Sequence, residues 1–270
     1  MSKNERIGPR ARHLGRKLRS KIRRRVLDLG LRVVGGVPTP LYEALLRSLI
    51  NARTRILPPG PALRFLFRLD AALYKLEGEK SIEYGGGLHT KHGHTSYHDF
   101  FVGRVRSGER VLDLGCGIGA LAYDVACETE ASVVGLDLSP DNVAIARQRY
   151  THPRIEYRVG DARLDLDGQH FDVVILSNLL EHLPERPQFL RRVVHQTGAK
   201  RILIRVPLFE RDWRVPLKLE LGVEWRLDPT HETEYTGESF ADEVTKAGLI
   251  IAHQKVRWGE IWAELAPADA

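Results

Sequence analysis

Between positions 110 and 120 a short apolar run passes into three glycines at alternate positions and then into a helical pattern: Val111-Leu112-Asp113-Leu114-Gly115-Cys116-Gly117-Ile118-Gly119-Ala120. Glycine lets a backbone turn sharply and approach a ligand closely, and the helix that follows offers free N–H donors at its start. The rest of the chain repeats the strand–helix theme. Strand patterns fall at 110–114, 132–138, 155–159, 171–176 and 201–206, with helical patterns between them at 120–129, 140–150 and 184–196. A further helix at 238–248 precedes two strands at 250–258 and 260–266. Such alternation predicts an α/β fold: a seven-stranded, mostly parallel, doubly wound sheet with helices on both faces. Only a tight turn near Gly259 separates the last two strands, so that pair is expected to be antiparallel.

Ahead of the sheet the sequence predicts an N-terminal helical extension. Three regions are expected: a basic amphipathic arm at 1–37, a helical extension and His-rich lid at 38–96, and the ligand-binding domain at 97–270, with an insertion at 207–237. Residues 1–35 hold 12 Lys and Arg against Glu5 and Asp28, whereas 36–270 hold 29 against 33 acids. The net charge of +6 is therefore a basic arm on a mildly acidic body, which argues against a nucleic-acid channel through the whole fold. Leu14, Leu18, Ile22, Val26, Leu29 and Val33 make one helical face of the arm. That face suits an anionic membrane surface or packing on the next two helices; nucleic acid and a targeting segment are further readings. In the extension, 41–50 and 62–76 read as helices, the second with a broad buried stripe through Leu63, Leu66, Phe67, Leu69, Leu73 and Leu76.

A hydrophobic content of 43% supports a full core, and two cysteines, Cys116 and Cys127, are too few for a disulfide framework and point to a reducing compartment. With no secretory pattern and no uninterrupted apolar run of membrane-spanning length, the expectation is a cytoplasmic protein, attached at most peripherally to the inner face of a membrane.

Acids at the strand ends narrow the ligand. Asp137 closes the second strand 22 residues after Gly115, where a carboxylate can accept hydrogen bonds from both ribose hydroxyls. Asp161, ahead of Ala162, closes the third strand, where it can accept from an adenine amino group. Asp113 stands before the glycines, where it would crowd a pyrophosphate and suit a cationic amino-acid moiety better. The loop alone, as G-x-G-x-x-A, also fits a dinucleotide.

Over roughly residues 97–266 the chain resembles the class I S-adenosylmethionine-dependent methyltransferases. The resemblance rests on Asp113-Leu114-Gly115-Cys116-Gly117-Ile118-Gly119, on Asp137, on Asp161-Ala162, and on Phe171-Asp172-Val173-Val174-Ile175-Leu176-Ser177-Asn178-Leu179-Leu180-Glu181-His182. It implies S-adenosylmethionine as cofactor, held by Asp113, Gly115, Gly117, Gly119, Asp137, Leu138, Asp161, Ala162 and Asn178. It says little of the acceptor, because the fold hosts many substrates.

Methyl transfer from a sulfonium needs alignment, exclusion of water and, for a hydroxyl acceptor, removal of a proton. His182, at the C-terminal end of the fourth strand, and His231, in the insertion, are the candidate bases. Glu181 reads as a structural hydrogen-bonding residue. His89, His92, His94 and His98 cluster with Lys91 and Tyr97, but Gly93 and Thr95 interrupt the helix that would pair His94 with His98, and no metal is expected. This segment reads instead as a lid, with Tyr97 and His98 contacting cofactor or acceptor. Trp213, Trp225, Asp228, His231 and Tyr235 in the insertion suit a pocket for a bulky polar acceptor. The expected function is O-methylation of a small-molecule, glycan or lipid-linked acceptor. The rivals are an RNA or protein methyltransferase, an NAD-dependent oxidoreductase, and a non-enzymatic binding module. Against the first, the turn after the fourth strand lacks the proline- and aromatic-containing motif of amino-directed nucleic-acid methyltransferases.

Overall fold

In the computed structural model, residues 35–166 and 168–268 are described, so nearly all of the basic arm, with its apolar stripe, lies outside the described residues. The chain divides into two units at Leu66/Phe67. In the first, helix α1 (Thr39–Ile56) starts after Pro38 and buries none of its residues; Leu41, Leu45, Leu49 and Ile56 are exposed. Helix α2 (Pro59–Tyr84) begins in this unit and continues into the second. It buries only Phe67, and Leu66, Leu73 and Leu76 are exposed, so the broad buried stripe expected at 62–76 is absent. Apolar spacing specifies a face but not what covers it.

The second unit continues with two short helices, α3 (Lys91–Thr95) and α4 (Tyr97–Val102). Ser96 between them is left-handed, with φ 47°. The expected interruption therefore falls one residue later, and a short helix does form over Gly93 and Thr95. His94 and His98 sit on different helices and share no face.

The sheet is seven-stranded in the order β3-β2-β1-β4-β5-β7-β6. Its strands are β1 (Arg110–Leu114), β2 (Ser132–Asp137), β3 (Ile155–Val159), β4 (Val173–Ser177), β5 (Arg201–Pro207), β6 (Leu249–Arg257) and β7 (Glu260–Pro267). The first five pair in parallel and β6 with β7 antiparallel, as the sequence predicted; β7 also pairs antiparallel with β5, which it did not. Trp258 (φ 55°) and Gly259 (φ 74°) make the β6–β7 turn, the left-handed pair that matches strand twist in a two-residue hairpin.

The helices are α5 (Ala120–Thr129), α6 (Pro140–Arg149), α7 (Arg186–Thr197), α8 (Arg214–Glu220) and α9 (Gly237–Lys246). Ser139 caps α6 by accepting from the Asn142 N–H, with Pro140 in the first turn where its missing donor is not needed. Thr236 and Ser239 close a reciprocal capping box on α9.

Side chains on successive strand positions face opposite ways, so β1 feeds two cores. Leu112 and Leu114 join Val174, Leu176, Ile202 and Ile204 on one face. Val111 joins Tyr97, Phe101, Val133, Val173 and Leu203 on the other. Asp113 alternates with the leucines and is thus a carboxylate in the row of the second, apolar face. The strand order reverses between β1 and β4, so the connections leaving their C-terminal ends diverge and open a crevice there.

Candidate functional site

The glycine loop turns at that crevice. Gly115, Gly117 and Gly119 all have positive φ, which strains any other residue. A Cβ at Gly119 would lie 2.7 Å from the Tyr157 hydroxyl, so this glycine serves close packing; beside Gly117 there is only open space, room for a ligand to approach the backbone.

Three carboxylates stand at or just beyond the C-terminal ends of β1, β2 and β3. Asp137 holds the loop in place: Oδ2 accepts from the Gly117 N–H at 2.8 Å, and Oδ1 accepts from Ser139 N–H at 2.9 Å and Asn142 Nδ2 at 3.1 Å. A carboxylate offers about four lone-pair sites, so roughly one is left for a ligand hydroxyl, and taking two hydroxyls displaces an existing partner. Asp161 accepts from the Arg163 backbone N–H and guanidinium, which hold its carboxyl below the usual range. Leu138 is largely exposed at the end of β2, and Ala162 packs on the core beside Asp161. Asp113 is 1% exposed, and its Oδ2 has no hydrogen-bond partner. Burial, and then the charge of Asp137, push its pKa up to about 7.

Asp113, Gly115 and Gly117 share a cavity of about 220 Å³ with His92, Tyr97 and Arg205. The Arg205 guanidinium lies 3.5 Å from the Tyr97 ring centroid, and its Nε donates to Asn178 Oδ1 at 3.2 Å. Asn178 itself is left-handed, with φ 54°, at the end of β4. The Tyr97 hydroxyl meets His92 Nδ1 at 2.9 Å, and burial pushes that phenol up to about 12. His92 is lowered to about 4 by burial, with His98, Lys91 and Arg205 adding to it, so it is neutral at pH 7. His98 turns away to Asp124, with Nδ1 at 2.5 Å from Oδ2, and is not part of the cavity wall. Of the expected lid pair, then, Tyr97 lines the cavity and His92 stands where His98 was expected.

The implied S-adenosylmethionine fits these residues. A buried carboxylate with an unpartnered oxygen calls for a cation, which the ligand's ammonium supplies; Gly117 leaves room; and Asp137 keeps an acceptor site at the ribose position.

Beyond β4, a 3-10 turn (Leu180–His182) carries Glu181 and His182. The rings of His182 and His231 stand edge to face with centroids 4.6 Å apart. His182 Nδ1 meets the Thr230 hydroxyl at 3.0 Å, and Thr230 donates to Asp228 at 2.7 Å. Burial, then the neighbouring His231, lower the His182 pKa. His231 Nδ1 meets Glu234 Oε1 at 3.1 Å. Burial opposes charge on Glu234, yet hydrogen bonds from His231, the Leu227 N–H and Arg211 together hold it below the usual range. Glu181, fully buried, has neither carboxylate oxygen partnered, and burial pushes it up to about 8.

A second cavity, of about 840 Å³, is walled by Tyr74, Arg211, Trp225, Leu227, Asp228 and Trp258, among others. In the insertion, Trp225 thus lines a pocket, whereas Trp213 is 72% exposed and Tyr235 is core, its hydroxyl donating to Glu243 at 2.9 Å. Sequence reasoning missed Arg205, His92 and the Thr230 and Glu234 partners. Arg205 left one signal: a lone charge within the otherwise apolar run Ile202–Val206.

Residues 111–197 match the family model described as a methyltransferase domain. A ubiquinone biosynthesis O-methyltransferase of Azorhizobium caulinodans is 36% identical over 110 residues, covering 40% of this chain and 43% of that protein. A 2-methyl-6-phytyl-1,4-hydroquinone methyltransferase of Synechocystis is 28% identical over 154 residues, covering 53% and 47%. The chain spans about half the length of these curated relatives. Among solved structures, a magnesium protoporphyrin IX methyltransferase from Synechocystis with bound S-adenosylhomocysteine superposes with a TM-score of 0.52 at 20% identity, covering 65% of this chain and 84% of that one.

Proposed function

We propose that the protein, whose residues 111–197 match the model of a methyltransferase domain, is an S-adenosylmethionine-dependent methyltransferase of class I that methylates an oxygen of a small, partly apolar acceptor. S-adenosylmethionine supplies a methyl group already activated on a sulfonium. The chain's own residues bind and orient. Asp113 faces the ammonium, the Gly115–Gly119 loop gives the ligand room, Asp137 accepts from the ribose, and Asp161 with Ala162 borders the adenine. Tyr97 and His92 cover the methionine end. Transfer to the acceptor oxygen would leave the C–S electron pair on sulfur, and the acceptor's hydroxyl proton would leave at the His182–His231 end. An imidazole pair can assist by taking the proton or by holding a group that acidifies the hydroxyl.

The observation that carries this reading is the junction of a cavity walled by aromatic rings, among them Tyr74, Trp225 and Trp258, and by many charged side chains, to the imidazole pair: Asp228 lines the cavity and holds Thr230, which holds His182. Ring hydroxyls of quinol-like molecules, the acceptor class in the relatives' names, suit such walls. Residues 36–270 carry 29 Lys and Arg against 33 acids, so nucleic acid is not an expected partner. Labelled methyl from S-adenosylmethionine is expected to reach a dihydroxybenzene bearing an isoprenoid tail and not bulk RNA or protein; label in RNA alone would sink the reading. His182→Ala is expected to lower turnover about 10²-fold with S-adenosylhomocysteine affinity unchanged. Turnover equal to the parent's would remove His182 from the chemistry.

The basic arm, 1–37, is proposed to rest on an anionic membrane surface, which brings a lipid-borne acceptor within reach. The exposed Leu41, Leu45 and Leu49 of α1, with Arg47 beside them, extend the same chemistry into the described residues. No described helix is long and apolar enough to cross a membrane. Sedimentation with anionic vesicles should fall when residues 1–37 are deleted and when salt is raised. Equal sedimentation of both chains would contradict it.

A further inference from the structure

We propose that Glu181, His182 and His231 bind one divalent transition-metal cation at the acceptor end of the site. One potential ligand atom from each residue lies within 4.8 Å of the other two. Ligands about 2.1 Å from one centre stand roughly 3.4 Å apart, so side-chain rotations close the set without moving the backbone. The backbone is already tied: the Glu181 carbonyl accepts from the Glu232 N–H at 2.8 Å and the Thr233 N–H at 3.3 Å, which joins the turn carrying Glu181 and His182 to the segment carrying His231.

Two features independent of proximity point to a cation. Glu181 is 0% exposed with both carboxylate oxygens unpartnered, a costly arrangement that a bound cation relieves. Each imidazole also has its Nδ1 engaged, His231 on Glu234 and His182 on Thr230, which in turn leans on Asp228. That leaves both Nε2 atoms as the free ligand atoms, with a carboxylate behind each ring, the outer arrangement that orients metal-binding histidines. Two imidazoles and one carboxylate suit Zn²⁺, Co²⁺, Mn²⁺ or Fe²⁺ better than Ca²⁺, and three protein ligands leave a position open.

The use of that open position rests on the function proposed above. An acceptor hydroxyl placed there is acidified by the cation. Its proton passes to solvent, its oxygen bonds the methyl carbon, and the C–S electron pair goes to sulfur. The imidazoles then serve as ligands and not as proton acceptors.

Co²⁺ titrated into the full chain, free of any added His tag and followed by visible absorption and calorimetry, tests the site. One equivalent is expected to bind with the bands of a low-coordinate site. His231→Ala and Glu181→Gln should each lose those bands, and Glu234→Gln should weaken binding about 10–100-fold. His195→Ala, at an exposed position of α7, should leave the bands unchanged. S-adenosylhomocysteine binding by each variant checks that it is folded. Bands that persist in folded His231→Ala, bands lost in His195→Ala, or no cobalt binding by the parent chain would each overturn the site. Methyl transfer surviving exhaustive chelation would overturn the cation's role while leaving the proposed function standing. Cobalt binding with no transfer to any hydroxyl acceptor would uphold the site and fell that function.

Discussion

Asp113→Asn is expected to gain stability over the parent chain by about 3 kcal/mol between pH 5 and pH 8, and to bind S-adenosylhomocysteine about 10²-fold more weakly at pH 8. The first effect follows from linkage. The carboxyl of Asp113 titrates near 4 when unfolded and at about 7 when folded, raised by burial and then by Asp137. A raised carboxyl binds its proton more tightly in the folded state, so the stability it contributes is full below the unfolded pKa and is lost as pH rises through 7. Asn carries no charge to bury and shows no such loss, although its amide is imperfectly partnered and the gain at any one pH is smaller than the difference between two. The second effect has the opposite sign: the carboxylate that destabilises the free protein at pH 8 is the group proposed to pair with the ligand's ammonium. Binding to the parent chain should therefore weaken as pH falls below 7, because a proton on Asp113 must then be displaced, and in Asp113→Asn that dependence should flatten. Urea unfolding at the two pH values and calorimetry across them are the measurements. Parallel pH profiles for the two chains would contradict the assignment.

Asp137→Ala is expected to lower affinity for S-adenosylhomocysteine by about 10²–10⁴-fold. In the proposed binding mode Asp137 accepts two charge-assisted hydrogen bonds from ribose, one at its free acceptor site and one in exchange for Ser139 N–H or Asn142 Nδ2, at about 1.5–3 kcal/mol each. The substitution also frees the Gly117 N–H from its 2.8 Å bond, so the loop loses its anchor to β2 at the same time. Asn in place of Ala keeps one acceptor and should recover part of the affinity. Calorimetry decides the matter, and an Ala variant within threefold of the parent would remove Asp137 from the cofactor site. NADH binding by the parent chain, with no binding of S-adenosylhomocysteine, would replace the cofactor altogether.

The frame of this site was legible before the structure because it is written locally. A short strand such as β1, apolar but for Arg110 and Asp113 and followed by glycines, admits few conformations, and the acids at the ends of β2 and β3 follow from strand length. What was not legible is held by long-range contacts. Thr230 and His182 are 48 residues apart and meet only once β4 and the insertion are in place. The orphaned oxygens of Glu181 cannot be read from a Leu-Leu-Glu-His string, in which a structural hydrogen bond is the ordinary expectation. His98 was chosen over His92 on sequence, but the left-handed Ser96 points the two differently and Asp124 takes His98. The leucines of α1 and α2 erred the other way: their spacing marks a face, and the structure leaves much of it uncovered.

The placement of β7 between β5 and β6 also constrains the order of assembly. In the chain β6 comes first, yet none of its ladder partners belongs to the parallel strands; all of them are on β7. The parallel strands can associate as their crossover helices form, but β6 has nothing to dock against until β7 has been made and has paired with β5. Until then β5, with Ile202, Leu203 and Ile204 fully or almost fully buried in the finished fold, presents an open apolar edge. Non-local pairing of this kind is slow and leaves partly formed sheets prone to association. The closing hairpin is therefore the step at which folding competes with aggregation, and the left-handed pair at its turn, Trp258 and Gly259, sets how readily that step is won.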